Sequence, residues 1–175
     1  MMRTALSKSL EQLQVILTEL NRLPDQLADN LYLEANVGRH LRHVLDHAEA
    51  LKQALLSGLV DYDQRDRGNA VETDRLLAMQ TLSLLRLWVQ TEDLDNRRIA
   101  VASEIDCEQT HRMQFDSNLH REILYVINHT IHHAAHIKLA LKQFGIQLPD
   151  AIGIAPGTAT HLRRSGADAI PPCAH

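Results

Sequence analysis

Residues 118–144 read NLHREILYVINHTIHHAAHIKLALKQF. Ser117 stands as a helix N-cap before this run, Gly145 follows it as a stop, and Pro149 confirms the break. The spacing predicts one long helix. Its apolar residues cover most of the circumference, so the helix belongs at the centre of the fold.

Working outward, ALSKSLEQLQVILTEL places Leu6, Leu10, Leu13, Leu17 and Leu20 on one face of an amphipathic helix that closes before Pro24. A second helix is expected from Asn36, with Val37, Leu41, Val44, Ala48, Leu51 and Leu55 as its apolar stripe and Ser57-Gly58 as its stop. VDYDQRDRGN then reads as a polar connection. ETDRLLAMQTLSLLRLWV reads as a third helix with Leu77, Leu84 and Trp88 in the core. RRIAVAS alternates briefly and suggests a short strand before the last helix. The expected architecture is all-α, a four-helix bundle with a short irregular segment before its last helix. One domain over residues 1–163 and a flexible C-terminal tail over 164–175 complete the expectation.

Composition agrees with helix. Hydrophobic residues make up 45% of the 175 and aromatics only 3%, with 7 glycines, so aliphatic side chains must fill the core. The net charge of −4 and the pI of about 6.2 argue against a nucleic-acid partner. No window approaches the length of a membrane span, and the N-terminus lacks the apolar core of a signal peptide. Cys107 and Cys173 form no CxxC motif, so a disulfide scaffold is not indicated. These features predict a cytoplasmic protein with no membrane partner.

The chain has 11 histidines, and seven fall in two of the expected helices. RHLRHVLDH carries His40, His43 and His47, which share an arc roughly 60° wide at about 100° per residue. On the last helix His129, His133 and His136 share a similar arc, with His132 at its edge. Histidines at i and i+4 project side by side and can reach one metal ion. A third imidazole from a facing helix leaves a divalent ion with an open position. Half-buried, hydrogen-bonded histidines without metal are the competing reading. HExxH is absent, which argues against a metalloprotease.

GRHLRHVLDHAEAL together with NHTIHHAAHIKLALKQFGI resembles the DinB-like (YfiT-like) superfamily, over about residues 5–163. The likeness is greatest to a subset with VDYDQRDR, VETD and IGIAPGTATHL in corresponding places. This resemblance implies a four-helix bundle, a homodimer, and a metal held by three histidines. On its motif His43, followed by Asp46, matches one ligand, and His129 with His133 matches the other two. His40, His47, His132 and His136 are alternative or supporting residues. Many members follow the helical pair with Gly-Gln, where this chain has Ala135-His136.

Glu122 lies two turns before His129 and could orient an imidazole or act as a base. Pairing with an arginine on a neighbouring helix is the simpler role. Asp46 carries the same two readings. Arg65 and Arg67 could clamp a carboxylate. The helix puts His43 about 20 Å from their loop, which favours a network with Asp61, Asp63 and Glu72. Tyr62 reads as packing, Cys107 as a buried or incidental thiol, and His111 and His120 as surface residues.

The leading expectation is a DinB-like protein with a divalent metal, Zn²⁺ or Ni²⁺ before Fe²⁺ or Mn²⁺, on His43, His129 and His133. It would act as a metal-dependent hydrolase or thiol transferase on an unspecified small molecule, with no catalytic residue assigned. The alternatives are a non-enzymatic metal-binding or stress-related interaction protein, and a structural bundle with a vacant site.

Overall fold

The computed structural model describes residues 1–64 and 68–166. Helix α1, Met2–Asn21, buries Leu6, Leu10, Leu13, Ile16, Leu17 and Leu20 completely. Each such side chain contributes on the order of 2 kcal/mol through removal of apolar area from water. Pro24 then acts in a way the periodicity did not predict. It is the N-cap of a second helix, α2, Asp25–Glu34, because proline's fixed φ suits a helix start as well as a helix end. Arg75 clamps this helix. It is only 5% exposed and donates to Asp29 at 2.6 Å, to Asp25 at 2.5 Å and to Asn21.

Helix α3 spans Val37–Ser57 and ends at Gly58, whose φ of 72° takes the left-handed conformation at the stop. Asn36 does mark its start. It does so by adopting φ 54°, however, with no side-chain capping bond. Strand β1, Leu59–Asp61, follows where a polar connection was expected, with Val60 and Tyr62 buried on alternate positions. After a 3-10 turn at Ala70–Glu72, helix α4, Arg75–Thr91, starts under Asp74, which accepts from the N–H groups of Leu76 and Leu77 at 2.9 Å each. Its core face is Ala78, Leu82, Leu85, Trp88 and Val89. Leu84, expected inside, is 67% exposed, and Leu77 is only partly buried.

Strands β2, Arg98–Glu104, and β3, Arg112–Asn118, form a hairpin. Arg98 faces Asn118 and Glu104 faces Arg112 in antiparallel register. Leu59 of β1 pairs parallel with Ala100, giving the order β1-β2-β3. Parallel neighbours need a long crossover, and α4 lies in it. Helix α5, Leu119–Gln143, follows β3 directly. Its N-cap is Asn118, which accepts from Arg121 N–H at 3.0 Å, and Ser117 belongs to the strand. Helix α6, Pro156–Arg164, comes from a segment that showed no helical period.

The all-α four-helix bundle is therefore corrected. Helices α1, α3, α4 and α5 do pack on one another, but the described chain has six helices and a mixed three-stranded sheet. The hairpin escaped notice because β3 is exposed along most of its length and shows no apolar alternation. Arg164, assigned to the tail, closes α6. Residues 167–175, with Cys173 and His175, lie outside the described residues, as do Arg65 and Arg67. Among the described residues no helix is long and apolar enough to cross a membrane.

Candidate metal centre

Helices α3 and α5 pack side by side, and each turns its histidines toward the other. The i, i+3 and i, i+4 spacings line up one ring per turn on each helix. His43 meets His129 and His133, with ring centroids 4.8 Å away in both cases, and His129 lies 4.5 Å from His133. One nitrogen from each of these three rings falls within 4.8 Å of the others. A shared ion about 2.1 Å from each nitrogen would set neighbouring nitrogens about 3.4 Å apart, so the widest gap needs to close by about 1.4 Å. The donor set, three imidazoles at half-buried positions, suits a borderline divalent ion.

Burial, followed by the neighbouring rings of His129, His43, His40 and His132, pushes the His133 imidazole down to about 3. It is neutral near pH 7, the form in which a ring nitrogen can bind metal. His133 Nδ1 lies 2.8 Å from His40 Nδ1. With an ion on His133 Nε2, its Nδ1–H would donate to His40, which would then orient the ligand.

The site has a firm inner wall. His47, 4% exposed, donates from Nδ1 to the His43 carbonyl at 2.8 Å. Its ring stacks on His129 at 4.3 Å and on Tyr62 at 5.0 Å. Tyr125, four residues before His129, stacks on that ring at 5.6 Å. Behind them Glu122 has no exposed surface. It accepts from Tyr62 Oη at 2.9 Å, Ser117 Oγ at 2.5 Å and Arg121 Nη1 at 2.8 Å. The arginine is thus its sequence neighbour and does not come from another helix. Tyr62, read as packing, also donates a hydrogen bond that holds this carboxylate. Burial, then the nearby Glu122 charge, raises its phenol well above the usual range.

Of the other candidates, Asp46 accepts from Arg42 at 2.7 Å, and Arg42 also donates to Glu72 at 2.7 Å. Asp61 pairs with Arg112 of β3, and Asp63 accepts from the Glu104 N–H at 2.7 Å. His132 and His136 are exposed at the outer end of the row. Cys107 is exposed, not buried. His111 is exposed, and His120 is half-buried, with Nε2 3.1 Å from the Leu94 carbonyl. Tyr125 and the wall made by Tyr62 were not among the expected site residues. The signals were present in the i−4 spacing from His129 and in the Val60/Tyr62 alternation.

No family model matches the chain. No solved structure matches it either. Among curated proteins, FK506-binding protein 5 of Rhizopus delemar is 27% identical over 141 residues, covering 79% of this chain and 36% of that protein. The chain therefore spans about a third of the length of the curated relative it matches. This finding overturns the DinB-like resemblance, since the relative carries a different name and no family model supports the assignment. The metal-dependent hydrolase or thiol transferase built on that resemblance is withdrawn with it. The stress-related interaction protein and the vacant structural bundle have no support from the relative either.

Proposed function

We propose that the seam between α3 and α5 binds one divalent transition-metal ion through His43, His129 and His133. The observation that carries this reading is that the three nitrogens lie within 4.8 Å of one another. Three further features support it. His133 is held neutral by burial and by the other rings. His40 Nδ1 lies within hydrogen-bond distance of His133 Nδ1, so it is positioned to accept that ring's Nδ1–H when Nε2 binds the ion. His47 and Tyr125 stack against the His129 ring. All-imidazole coordination favours Zn²⁺ or Ni²⁺, with Fe²⁺ and Mn²⁺ next, over Mg²⁺ or Ca²⁺. Three ligands leave a position for water or an external donor. No reaction is assigned to it.

The test is metal analysis of protein purified without a polyhistidine tag. About one ion per chain is expected to survive dialysis into metal-free buffer, and His43→Ala, His129→Ala and His133→Ala should each lower affinity by about 100-fold or more. Failure to retain Zn²⁺, Ni²⁺, Mn²⁺ or Fe²⁺ would reject the reading.

A further inference from the structure

Four of the seven histidines in the seam are not ligands in the proposed centre, and two of them are placed differently from the rest. His132 and His136 sit one turn apart on α5, with ring centroids 4.5 Å apart and planes at 69°. Both are exposed. Neither makes a hydrogen bond or ion pair among the described residues. His47 is engaged with the His43 carbonyl and His40 with His133. The outer pair therefore differs from its neighbours in having ring nitrogens that are uncommitted and open to solvent.

Two imidazoles at i and i+4 can converge on a single ion, and an exposed helix face leaves space for water or an external donor to complete its shell. The pair adjoins the inner group. His132 lies 5.5 Å from His133 and His136 lies 5.8 Å from His40, ring centroid to ring centroid. It is nonetheless separate in geometry. The three nitrogens brought within 4.8 Å of one another come from His43, His129 and His133 and exclude both outer residues. His40 is engaged with the inner group, its Nδ1 lying 2.8 Å from His133 Nδ1.

We infer that His132 and His136 form a second, weaker divalent-metal site on the solvent side of the seam, selective for borderline ions such as Zn²⁺, Ni²⁺ or Cu²⁺. Two protein ligands hold an ion less firmly than three, so the outer ion exchanges with solvent while the inner one is retained. Neutral nitrogen donors without a carboxylate discriminate against Mg²⁺ and Ca²⁺. The outer pair does not depend on the inner triad, because it shares no ligand with it.

Equilibrium dialysis of the untagged full chain against Zn²⁺ tests the inference, with bound metal counted both in the presence of free Zn²⁺ and after its removal. The wild type is expected to hold about two ions per chain with Zn²⁺ present and about one after removal. A large excess of Mg²⁺ should not displace the second ion. The double variant His132→Ala/His136→Ala, altered only at exposed positions, should lose the exchangeable ion and keep the retained one. The double variant His43→Ala/His129→Ala should show the reverse. An exchangeable ion that persists in His132→Ala/His136→Ala would overturn the outer site, as would a wild type that binds only the retained ion. If the wild type retains no ion but still binds an exchangeable one that His132→Ala/His136→Ala abolishes, the inner reading fails and the outer one stands.

Discussion

Glu122 is a carboxylate with no exposed surface that spends both oxygens on neighbours, Tyr62 on one side and Ser117 with Arg121 on the other. Removing it strands the buried Tyr62 hydroxyl, while the largely exposed Arg121 returns to water. Glu122→Ala is therefore expected to lower unfolding free energy by about 2–3 kcal/mol in urea titrations. Glu122→Gln keeps an acceptor for Tyr62 and should cost about 1 kcal/mol. A wild-type response from Glu122→Ala would show that the carboxylate is not holding the wall. The tyrosines give a second check. Tyr62 and Tyr32 both have phenols raised by burial and then by nearby carboxylates. At a pH of about 11, where a free phenol is ionised, native protein should therefore show at most one phenolate of its 3 tyrosines. The unfolded chain ionises first, so the stability linked to these two phenols is full below about pH 10 and is lost as pH rises above it.

At the level of elements, α3 and the 3-10 turn meet closely at Gly38. A Cβ on Gly38 would fall 2.0 Å from the Glu72 carbonyl oxygen and 2.5 Å from a Tyr32 ring carbon. Gly38→Ala is expected to destabilise by about 1–3 kcal/mol, even though alanine is the better helix former. A stabilised variant would contradict the packing. This contact also shows where sequence reading stops. The bounds of α3 were legible because Asn36 and Ser57-Gly58 are local signals, and α1 was legible from its leucine steps. The histidines were legible as candidates because helical spacing puts His40, His43 and His47 on one arc of α3 and His129, His133 and His136 on one arc of α5; the choice of His43, His129 and His133 among them came from the resemblance. Which rings approach each other depends on how α3 and α5 pack, and nothing local encodes that. Helix α2 was hidden by Pro24, which reads equally well as an ending. Strand β3 was hidden because most of its side chains are exposed, and the Tyr62 contact depends on a parallel pairing between segments separated by α4. The hairpin and the added helices are tertiary outcomes, and the bundle expectation failed on them.

For the molecule as a whole, the histidine seam makes stability depend on acid and on metal. His133 is pushed down to about 3 and His40 is lowered too, in both cases first by burial. Unfolded histidine titrates near pH 6.5. Between those values the unfolded chain takes up protons that the native one excludes, so stability is full above about pH 6.5 and is lost as pH falls toward 3. The urea midpoint should decline over that window, and His133→Asn should flatten the decline. A pH-independent midpoint from 6.5 to 4 would rule this out. Zn²⁺ at about a hundredfold excess over its dissociation constant should add about 2.7 kcal/mol and raise the melting temperature by roughly 5–10 °C, read from Trp88 fluorescence. The crossover between β1 and β2 has a kinetic side. Ninety-three positions separate His40 from His133, and the parallel pair that flanks the seam joins chain from either side of α4. Contacts between segments so distant must wait for the loop between them to close, which places them late in folding. Three of the seven imidazoles are carried by α3 and four by α5, so the cluster is assembled only when the two helices meet. Refolding monitored by metal capture should consequently lag refolding monitored by helical circular dichroism.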